Sequence, residues 1–294
     1  MLRIRMVTLI ACKLQTLNVY WQTGGWRSLA FRIAAIIRRR CQSSSFHAQV
    51  GAVSPPADVR SCTDSLAVLG RTIVYTAVIG DYDALLPFEF DDIEAICFTD
   101  RPEAVPAGWL AVNVSGEMGV RQARQIKVLS HNHVSDAKWS IWMDGNLQLK
   151  VHPHEIVRRL AARRAELGSF LHPERQCSFA EAKVVQHLAL DDRRLVEQQV
   201  EHYEKEGFPS GFGLLETAIV ARRNSSKVRE LNELWWQEIC LGSHRDQLSI
   251  MYALWKTKLP FCTLPGSRDC SRLCRLYSHR SGQTSGNAAV KLNL

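Results

Sequence analysis

One short stretch, WSIWMDGNLQL at Trp139 to Leu149, most constrains the fold of this chain. Its first part, Ile141-Trp142-Met143, is bulky and uncharged, which predicts a strand that is buried in a sheet. The strand stops at Asp144-Gly145-Asn146, where a carboxylate and an amide flank a glycine. Because glycine takes a positive φ at little cost, we expect Gly145 to do so and to let both polar side chains point the same way.

The polar end of this strand has two interpretations. Carboxylate and amide oxygens are ligands that hard cations such as Mg²⁺ or Mn²⁺ prefer, commonly together with the phosphates of a substrate. Alternatively, Asp-Gly is a frequent hairpin dipeptide, and Leu147 and Leu149 would then start the return strand. The turn alone favours the hairpin, whereas the neighbouring motifs favour a binding site.

Other apolar runs predict the fold class around this strand. Residues 72–79 and 94–99 predict two buried strands, which end at Gly80-Asp81 and at Asp100, and residues 109–114 predict a third. Helical patterns cover residues 119–133, 152–166, 181–207, 227–240 and 243–256. Strands that alternate with helices are typical of an α/β protein, whose ligands bind beyond the carboxyl ends of the strands.

Composition limits the classes of partner. The chain has 294 residues, of which 46% are hydrophobic, enough for one large domain with appendages. Its formal net charge of +8 favours anionic partners, which include phosphorylated ligands, nucleic acid and anionic membranes. The sequence contains no nucleic-acid-binding motif, so we expect no nucleic-acid partner. The nine cysteines form no Cys-x-x-Cys pair, which favours reduced thiols in a cytoplasmic protein.

Residues 1–70 differ from the rest of the chain. Residues 26–40 place apolar groups at helical spacing, with arginines on the other face and at the end. Such a basic amphipathic helix can lie on an anionic membrane, or it can dock on the main domain with solvated arginines. A linker follows, and we expect the main domain over residues 71–280 and a flexible tail over residues 281–294. No apolar segment reaches the ~20 residues that a membrane span needs.

Two of the predicted helices carry candidate ligand-binding groups. Arg124 and Lys127 lie three residues apart and therefore share a helix face, which can meet phosphates or simply be solvated. Ser243 is a candidate N-cap of another helix, and Asp246 and Gln247 lie in its first turn. That helix start lies on the loop side of an α/β sheet, where active sites are assembled.

Several short motifs follow one another in a family-specific order. They are Tyr75-Thr76-Ala77 with Gly80-Asp81-Tyr82-Asp83, Phe98-Thr99-Asp100, Arg124 with Lys127, Trp142-Met143-Asp144-Gly145-Asn146, His172-Pro173, Glu181, Glu206-Gly207 with Gly213-Leu214, Trp235-Trp236-Gln237-Glu238 and Arg245-Asp246-Gln247-Leu248-Ser249. Over residues 71–260 this order resembles the glycosyltransferase-like family long described as domain of unknown function 616, which occurs in bacterial polysaccharide loci and plant cell-wall proteins. The resemblance implies an α/β fold with a Rossmann-like mixed sheet flanked by helices, as in A-type nucleotide-sugar glycosyltransferases.

The resemblance also implies a metal site. In A-type glycosyltransferases an Asp-x-Asp turn after a buried strand holds a divalent metal, Mn²⁺ or Mg²⁺, on the donor diphosphate. The matching positions here are Asp144 and Asn146, so the second carboxylate is replaced by an amide. His279 would be a further metal ligand by the same analogy.

The resemblance assigns a second group of residues to the nucleotide-sugar donor. Asp81 and Asp100 would contact its uridine and ribose, and Gly145 would lie against the donor. Arg124 and Lys127 would neutralise the negative charge of its diphosphate.

The resemblance places the reaction itself near Asp246 and Gln247, which would face the sugar and the acceptor. Asp246 or Glu181 could act as the base if the reaction inverts the anomeric configuration. The implied reaction transfers a sugar from a nucleotide sugar to a glycan or polysaccharide acceptor in the cytoplasm of a bacterium. The protein could also be in peripheral contact with the inner face of the membrane. The alternative, which the Asp-x-Asn turn favours, is a non-catalytic carbohydrate- or nucleotide-binding protein on the same fold.

Overall fold

The computed structural model describes residues 69–80 and 83–277. The predicted amphipathic helix at residues 26–40, the linker after it and the predicted tail at residues 281–294 lie outside the described residues. Asp81 and His279 lie outside them as well. Among the residues that the structure describes, no helix combines the length and the apolar composition needed to cross a membrane.

The described residues contain strands that belong to two sheets. The strands are β1 (Thr72–Val78), β2 (Glu94–Thr99), β3 (Leu110–Asn113), β4 (Trp139–Met143), β5 (Leu147–Leu149), β6 (Leu167–Leu171), β7 (Leu215–Arg223), β8 (Phe261–Leu264) and β9 (Cys274–Leu276). The larger sheet has seven strands in the order β3-β2-β1-β4-β7-β6-β8, and the smaller sheet pairs β5 with β9. In the larger sheet β7 runs antiparallel to both of its neighbours, while the other paired strands are parallel.

Helices cover both faces of the larger sheet. They are α1 (Val120–Val128), α2 (Ser130–His133), α3 (Pro153–Ala162), α4 (Ser178–His187), α5 (Arg193–Lys205), α6 (Ser226–Leu241) and α7 (Asp246–Thr257), with a short 3₁₀ turn at Pro102–Ala104. Apolar residues of α1, α6 and α7 form one core cluster with one face of the sheet. Apolar residues of α3 form a second cluster with the opposite face. The fold is therefore the predicted α/β fold with a Rossmann-like mixed sheet.

The burial of the central strands explains why their sequences lack alternation. All five residues of β4 are buried, because helices cover the sheet on both sides. Along β1, Ile73 and Tyr75 pack into one core cluster, whereas Val74 between them packs into the other. Continuous apolar runs therefore mark the strands in the middle of the sheet.

The predicted hairpin after β4 is absent. Leu147 and Leu149 do form a strand, but this strand pairs with β9 instead of returning along β4. The neighbour of β4 on that side is β7, which occupies the edge that a hairpin partner would need. The Asp-Gly turn is real, since the backbone N–H of Leu147 donates to the carbonyl of Asp144 at 3.0 Å.

Two predicted helical stretches are each divided in the structure. The stretch at residues 119–133 is interrupted at Leu129, whose ψ of 49° is not helical, so that α1 and α2 are separate. The stretch at residues 181–207 consists of α4 and α5, and the side chain of Asp192 caps the start of α5. The final helix starts at Asp246 with Arg245 as its N-cap residue, so the predicted N-cap, Ser243, lies before it.

Candidate active site

A cavity of about 450 Å³ lies where β1 and β4 end and β7 begins. β1 stands between β2 and β4, so the chain leaves it in one direction for β2 and β3 and later returns on its other side as β4. Such a reversal of strand order opens a crevice at the carboxyl ends of the strands, where α/β proteins bind ligands. The volume suits a ligand of the size of a small organic molecule.

The cavity brings together most of the site residues predicted within the described part of the chain. These residues are Arg124, Lys127, Asp144, Gly145, Asn146, Asp246 and Gln247. Asp100 and Glu181 do not line it. The convergence of the others follows from the fold, because α1, the end of β4 and the start of α7 all meet at this edge of the sheet.

A buried ion cluster forms one wall of the cavity. The Nζ of Lys127 lies 2.6 Å from Oδ2 of Asp246, and Nη1 of Arg124 lies 3.2 Å from the same oxygen. The hydroxyl of Thr217 donates to that oxygen at 2.8 Å and accepts from Lys127 at 3.1 Å. Lys127 and Asp246 are only 1% and 4% exposed. The pairing lets both charges remain in a place from which water is largely excluded.

This cluster decides the charge of Asp246. Burial raises the pKa of its carboxyl, but the charges of Arg124 and Lys127 and the hydrogen bonds from Lys127 and Thr217 lower it by more. The pKa of Asp246 is therefore held well below its usual range. A carboxylate that is stabilised in this way accepts a proton only weakly, and its clear structural effect is to fix two cations beside the cavity.

Asp144 is the partly exposed carboxylate at the end of β4. The indole N–H of Trp142 donates to its Oδ1 at 2.7 Å, and the Nζ of Lys127 lies 3.6 Å from the same atom. Its side chain remains 31% exposed. The carboxylate is therefore oriented by fixed neighbours while part of it can meet a ligand.

The predicted reason for Gly145 is wrong, although the requirement for glycine is real. Gly145 is not among the glycines with a positive φ. A Cβ at this position would lie 2.9 Å from Cγ2 of Val78 and 3.5 Å from Cβ of Asp83. The turn needs glycine because the end of β1 and the loop after it approach it closely.

Asn146 joins the turn to the end of the described chain. Its side-chain amide nitrogen donates to the backbone carbonyl of Tyr277 at 3.0 Å, and its backbone carbonyl accepts from the backbone N–H of Tyr277 at 2.9 Å. Asn146 lines the cavity but is itself buried. Its amide therefore has a structural task, namely to extend the pairing of β5 with β9.

Two predicted site residues have structural partners away from the cavity. Asp100 accepts the backbone N–H of Gly80 at 3.0 and 3.2 Å, so it fixes the turn after β1. Glu181, a predicted catalytic residue, is buried in α4 and forms an ion pair with Arg175. The structure does not bring Glu181 to the cavity, because its carboxylate points to this arginine.

An irregularity in β7 supplies residues that the sequence analysis missed. Glu216, Thr217 and Ala218 are consecutive, yet all three line the cavity, whereas side chains of a regular strand alternate between faces. The register between β6 and β7 shifts at this point, as in a β-bulge. The sequence did contain a sign of this site, namely the carboxylate of Glu216 inside an otherwise apolar strand. A buried carboxylate needs a specific partner, so its presence there indicates a structural or functional role.

Glu216 is held by two side chains of the cavity wall. The amide of Gln247 donates to its Oε1 at 3.0 Å, and Nη1 of Arg268 lies 3.5 Å from the same oxygen. Burial raises the pKa of Glu216, and the nearby charge of Arg268 opposes this effect without cancelling it. Two acids in one cavity, Glu216 and Asp246, thus have pKa values shifted in opposite directions, an arrangement that is common in active sites.

Arg245 also lines the cavity, at the start of α7. Within the part of the chain that the structure describes, its guanidinium forms no ion pair, in contrast to Arg124 and Lys127. The backbone N–H groups of the first turn of α7 add partial positive charge at the same place. Arg245 can therefore bind an anionic ligand without first breaking an ion pair with a carboxylate of the described residues.

A separate group of side chains could hold a divalent cation. One ligand atom each from Asp92, His152 and His154 lies within 4.8 Å of the others. The Nε2 of His152 is 2.9 Å from Asp92, and burial lowers the pKa of His154, which favours the neutral imidazole that metals bind. None of the three residues lines the cavity. A metal there would be distinct from the predicted site at Asp144.

Comparison with known proteins gives two similarities. A family profile described as TOD1/MUCI70, glycosyltransferase-like domain, matches residues 110–273. The probable hexosyltransferase MUCI70 of Arabidopsis thaliana is 27% identical to this chain over 140 residues, which cover 45% of this chain and 24% of the plant protein. The matched part of the chain thus spans about a quarter of the length of this curated relative.

The family match covers most of the elements that build the cavity, but not the end of β1 or Asp83. Its range, 110–273, includes α1, the end of β4, the bulge of β7, the start of α7 and Arg268. It also extends over more than half of the 294 residues. The resemblance inferred from the order of short motifs is thereby confirmed, and the chain belongs to the TOD1/MUCI70 glycosyltransferase-like domain family.

Proposed function

We propose that this protein transfers a sugar, most simply a hexose, from a nucleotide-sugar donor to a glycan or polysaccharide acceptor. The observation that carries the proposal is the cavity at the switch point of the sheet, which combines cations with an oriented carboxylate at the end of a buried strand. The family and the name of the plant relative, a probable hexosyltransferase, support the same class of reaction.

The cations of the cavity suit a diphosphate leaving group. Arg245 provides a guanidinium without an ion pair in the described part of the chain, and Arg124 is partly exposed beside it in the cavity wall. Lys127 is almost fully buried, so it contributes charge rather than direct contact. Preorganised positive charge stabilises the negative charge that develops on a departing nucleoside diphosphate.

A divalent metal fits this cavity as a cation shared with the donor. At the turn after β4 the carboxylate of Asp144 is partly exposed and Asp83 lies nearby, while the amide nitrogen of Asn146 is bonded to Tyr277. Mg²⁺ is commonly held by one or two carboxylates together with substrate phosphates. In this proposal Asp144 would hold Mn²⁺ or Mg²⁺ against the donor, and the ion would neutralise part of the diphosphate charge. His279 stays a prediction.

The proposal is tested by thermal unfolding in the presence of UDP, GDP, their sugar conjugates and CMP-sugars, each with and without Mn²⁺. A ligand at 100 times its dissociation constant stabilises the folded state by about 2.7 kcal/mol, which raises the melting temperature measurably. We expect one nucleotide class to stabilise the protein. We also expect Asp144→Ala to reduce the part of the stabilisation that requires both nucleotide and Mn²⁺.

Asp92→Ala is the matched control for this experiment. It removes a carboxylate from the Asp92-His152-His154 group, which is outside the cavity, so it can change stabilisation by Mn²⁺ alone but not the response to nucleotide. The absence of stabilisation by any nucleotide would contradict the proposal. It would favour a carbohydrate-binding protein, a function that the single carboxylate of the Asp-x-Asn turn also suits.

The cellular setting remains a proposal. We expect the protein in the cytoplasm of a bacterium, with peripheral contact to the inner face of the membrane through the basic segment at residues 26–40. Co-sedimentation with anionic vesicles tests the membrane contact, since deletion of these residues should abolish it.

A further inference from the structure

We propose that Glu216 is the catalytic base, which removes the proton from the acceptor hydroxyl during sugar transfer. This inference rests on the proposed function and assigns a reaction step to a residue of the same cavity. Three observations support it: the position of Glu216 at the bulge of β7, the hydrogen-bond and ion-pair partners of Glu216, and the partners that already bind the other carboxylates of the cavity.

The bulge aims the Glu216 side chain into the cavity. Ser169 of β6 pairs with Val220, but the next residue, Phe170, pairs with Glu216, so the intervening residues of β7 have no partner on β6. The hydroxyl of Ser169 lies 2.7 Å from the carbonyl oxygens of both Glu216 and Ile219. These contacts hold the irregular backbone of β7 in place. A bulge beside an active site commonly re-aims a side chain in this way.

The partners of Glu216 leave one carboxylate oxygen for a ligand. Gln247 and Arg268 both contact Oε1. Among the residues that the structure describes, no side chain or backbone group donates to Oε2. Glu216 is only 3% exposed, so the carboxylate is fixed in orientation and in contact with little water. A base must combine such positioning with an available lone pair.

The other carboxylates that line the cavity are less suited to accept a proton. Asp246 is bound by Lys127 and Arg124, and a carboxylate with two cationic partners strongly prefers to remain charged. Asp144 accepts from Trp142 and is the residue proposed to face the donor diphosphate. Asp83 lies beside the Gly145 turn, with Oδ2 3.6 Å from where a Cβ on Gly145 would be. Glu216, on β7, is contacted by Gln247 at 3.0 Å and by Arg268 at 3.5 Å, both at Oε1.

The electrostatic surroundings support this role. Burial raises the pKa of Glu216, and the negative charges of Asp269 and Asp144 raise it further, whereas Arg268 and Lys127 lower it. A carboxylate with a raised pKa is a stronger base than an ordinary glutamate, and proton transfer is most efficient when the pKa of the base approaches the working pH.

The proposed step is a single displacement. The acceptor oxygen forms a bond to C1 of the donor sugar while its proton passes to Oε2 of Glu216. The bond between C1 and the phosphate oxygen breaks, and its electron pair leaves with the nucleoside diphosphate. Glu216 then releases the proton to solvent. Because attack and departure occur on opposite faces of C1, the product has the inverted anomeric configuration.

The experiment compares Glu216→Gln with Glu238→Gln in the full-length protein. Both wild-type residues are buried glutamates whose pKa is raised by burial, but Glu238 belongs to α6 and does not line the cavity. The assay measures nucleoside diphosphate release from UDP-glucose, UDP-galactose and GDP-mannose, with water or a panel of oligosaccharides as acceptor. Melting temperature and nucleotide binding are measured for each variant.

We expect Glu216→Gln to lower kcat by about 10²–10⁴-fold, the usual contribution of a general base. Nucleotide binding and the donor KM should stay close to wild type, because the amide keeps the size and polarity of the side chain. Glu238→Gln should keep the wild-type rate. NMR of the wild-type product should show an inverted anomeric configuration.

Two results would overturn the role of Glu216 but not the proposed function. One is an active wild type together with a Glu216→Gln variant that keeps nearly the full kcat, and the other is a product of retained anomeric configuration. A wild type that binds no nucleotide and releases no diphosphate from any donor would overturn the proposed function, and the role of Glu216 with it. Wild-type activity therefore separates the two failures.

Discussion

Replacement of Asp246 by asparagine should lower the free energy of unfolding by about 3–5 kcal/mol, as is usual when one partner of a buried ion pair is removed. Lys127 would remain in a place where it is 1% exposed, 3.6 Å from Asp144 and without its 2.6 Å partner. Asparagine keeps the shape of the side chain, so the loss would arise mainly from the missing charge. Urea unfolding measures it directly.

Two further variants separate the charge effect from packing. Asp246→Asn combined with Lys127→Met removes both charges and should recover part of the lost stability, because an apolar pair can replace a buried ion pair. Glu197→Gln breaks the exposed pair with Arg193 on α5 and should change stability by less than ~1 kcal/mol. Equal stability of wild type and Asp246→Asn would show that the cluster contributes little.

The same variant has a defined pH dependence. Because the folded-state pKa of Asp246 is depressed, its contribution is fully present above the unfolded value of about 3.9 and is lost as the pH falls toward the folded value. The stability difference between wild type and Asp246→Asn should therefore be constant near neutral pH. It should shrink progressively in acid, below about pH 4.

The elements that the sequence predicted best are those whose pattern is local. The run at residues 72–79 became β1, and residues 94–99 became β2 with the same bounds, because continuous apolar residues have few alternatives to a buried strand. The meeting of α1, the end of β4 and the start of α7 was also foreseeable. For the end of β4 it follows from the rule that ligands bind beyond the carboxyl ends of the strands, and for α7 it follows from the polar start predicted for that helix.

The missed features depend on pairings between distant parts of the chain. The pairing of β5 with β9 joins residues such as Leu147 and Leu276, and each strand is too short to carry a pattern of its own. The bulge that exposes Glu216 to the cavity is a matter of register against β6, which the sequence of β7 alone does not contain. Asp246, which was predicted as a possible base, likewise acquired its two cationic partners only through tertiary packing.

Arg222 illustrates how this packing positions the site. It is 0% exposed near the end of β7, the strand that lies between β4 and β6. Its guanidinium donates to the carbonyl oxygens of Lys127 and Val128, the last residues of α1, and also to Tyr75 and Asn232. The helix end carries partial negative charge, so a cation is favourable there. Arg222 therefore fixes the end of the helix on which Lys127 and Arg124 reach the cavity.

Arg222→Met should accordingly lower the free energy of unfolding by about 3 kcal/mol or more, because the buried carbonyl of Val128 and the buried Oδ1 of Asn232 would lose their donor at roughly 1–3 kcal/mol each. The carbonyl of Lys127 would keep the hydroxyl of Tyr75 as a donor. Burial disfavours the charged form of Arg222 and thereby lowers its pKa. The substitution removes this buried charge, which offsets part of the lost stability. Hydrogen exchange of the α1 amides should accelerate in the variant, and nucleotide binding should weaken as Lys127 and Arg124 lose their fixed position.

Arg223→Met is the control, since Arg223 is the next residue of β7 but is exposed at its end. It should leave unfolding, exchange and nucleotide binding nearly unchanged, within about 0.5 kcal/mol in stability. If both variants lost the same stability, the effect would belong to the strand and not to the contacts with α1. If Arg222→Met lost stability but kept normal exchange in α1, the guanidinium would stabilise the sheet without positioning the cations.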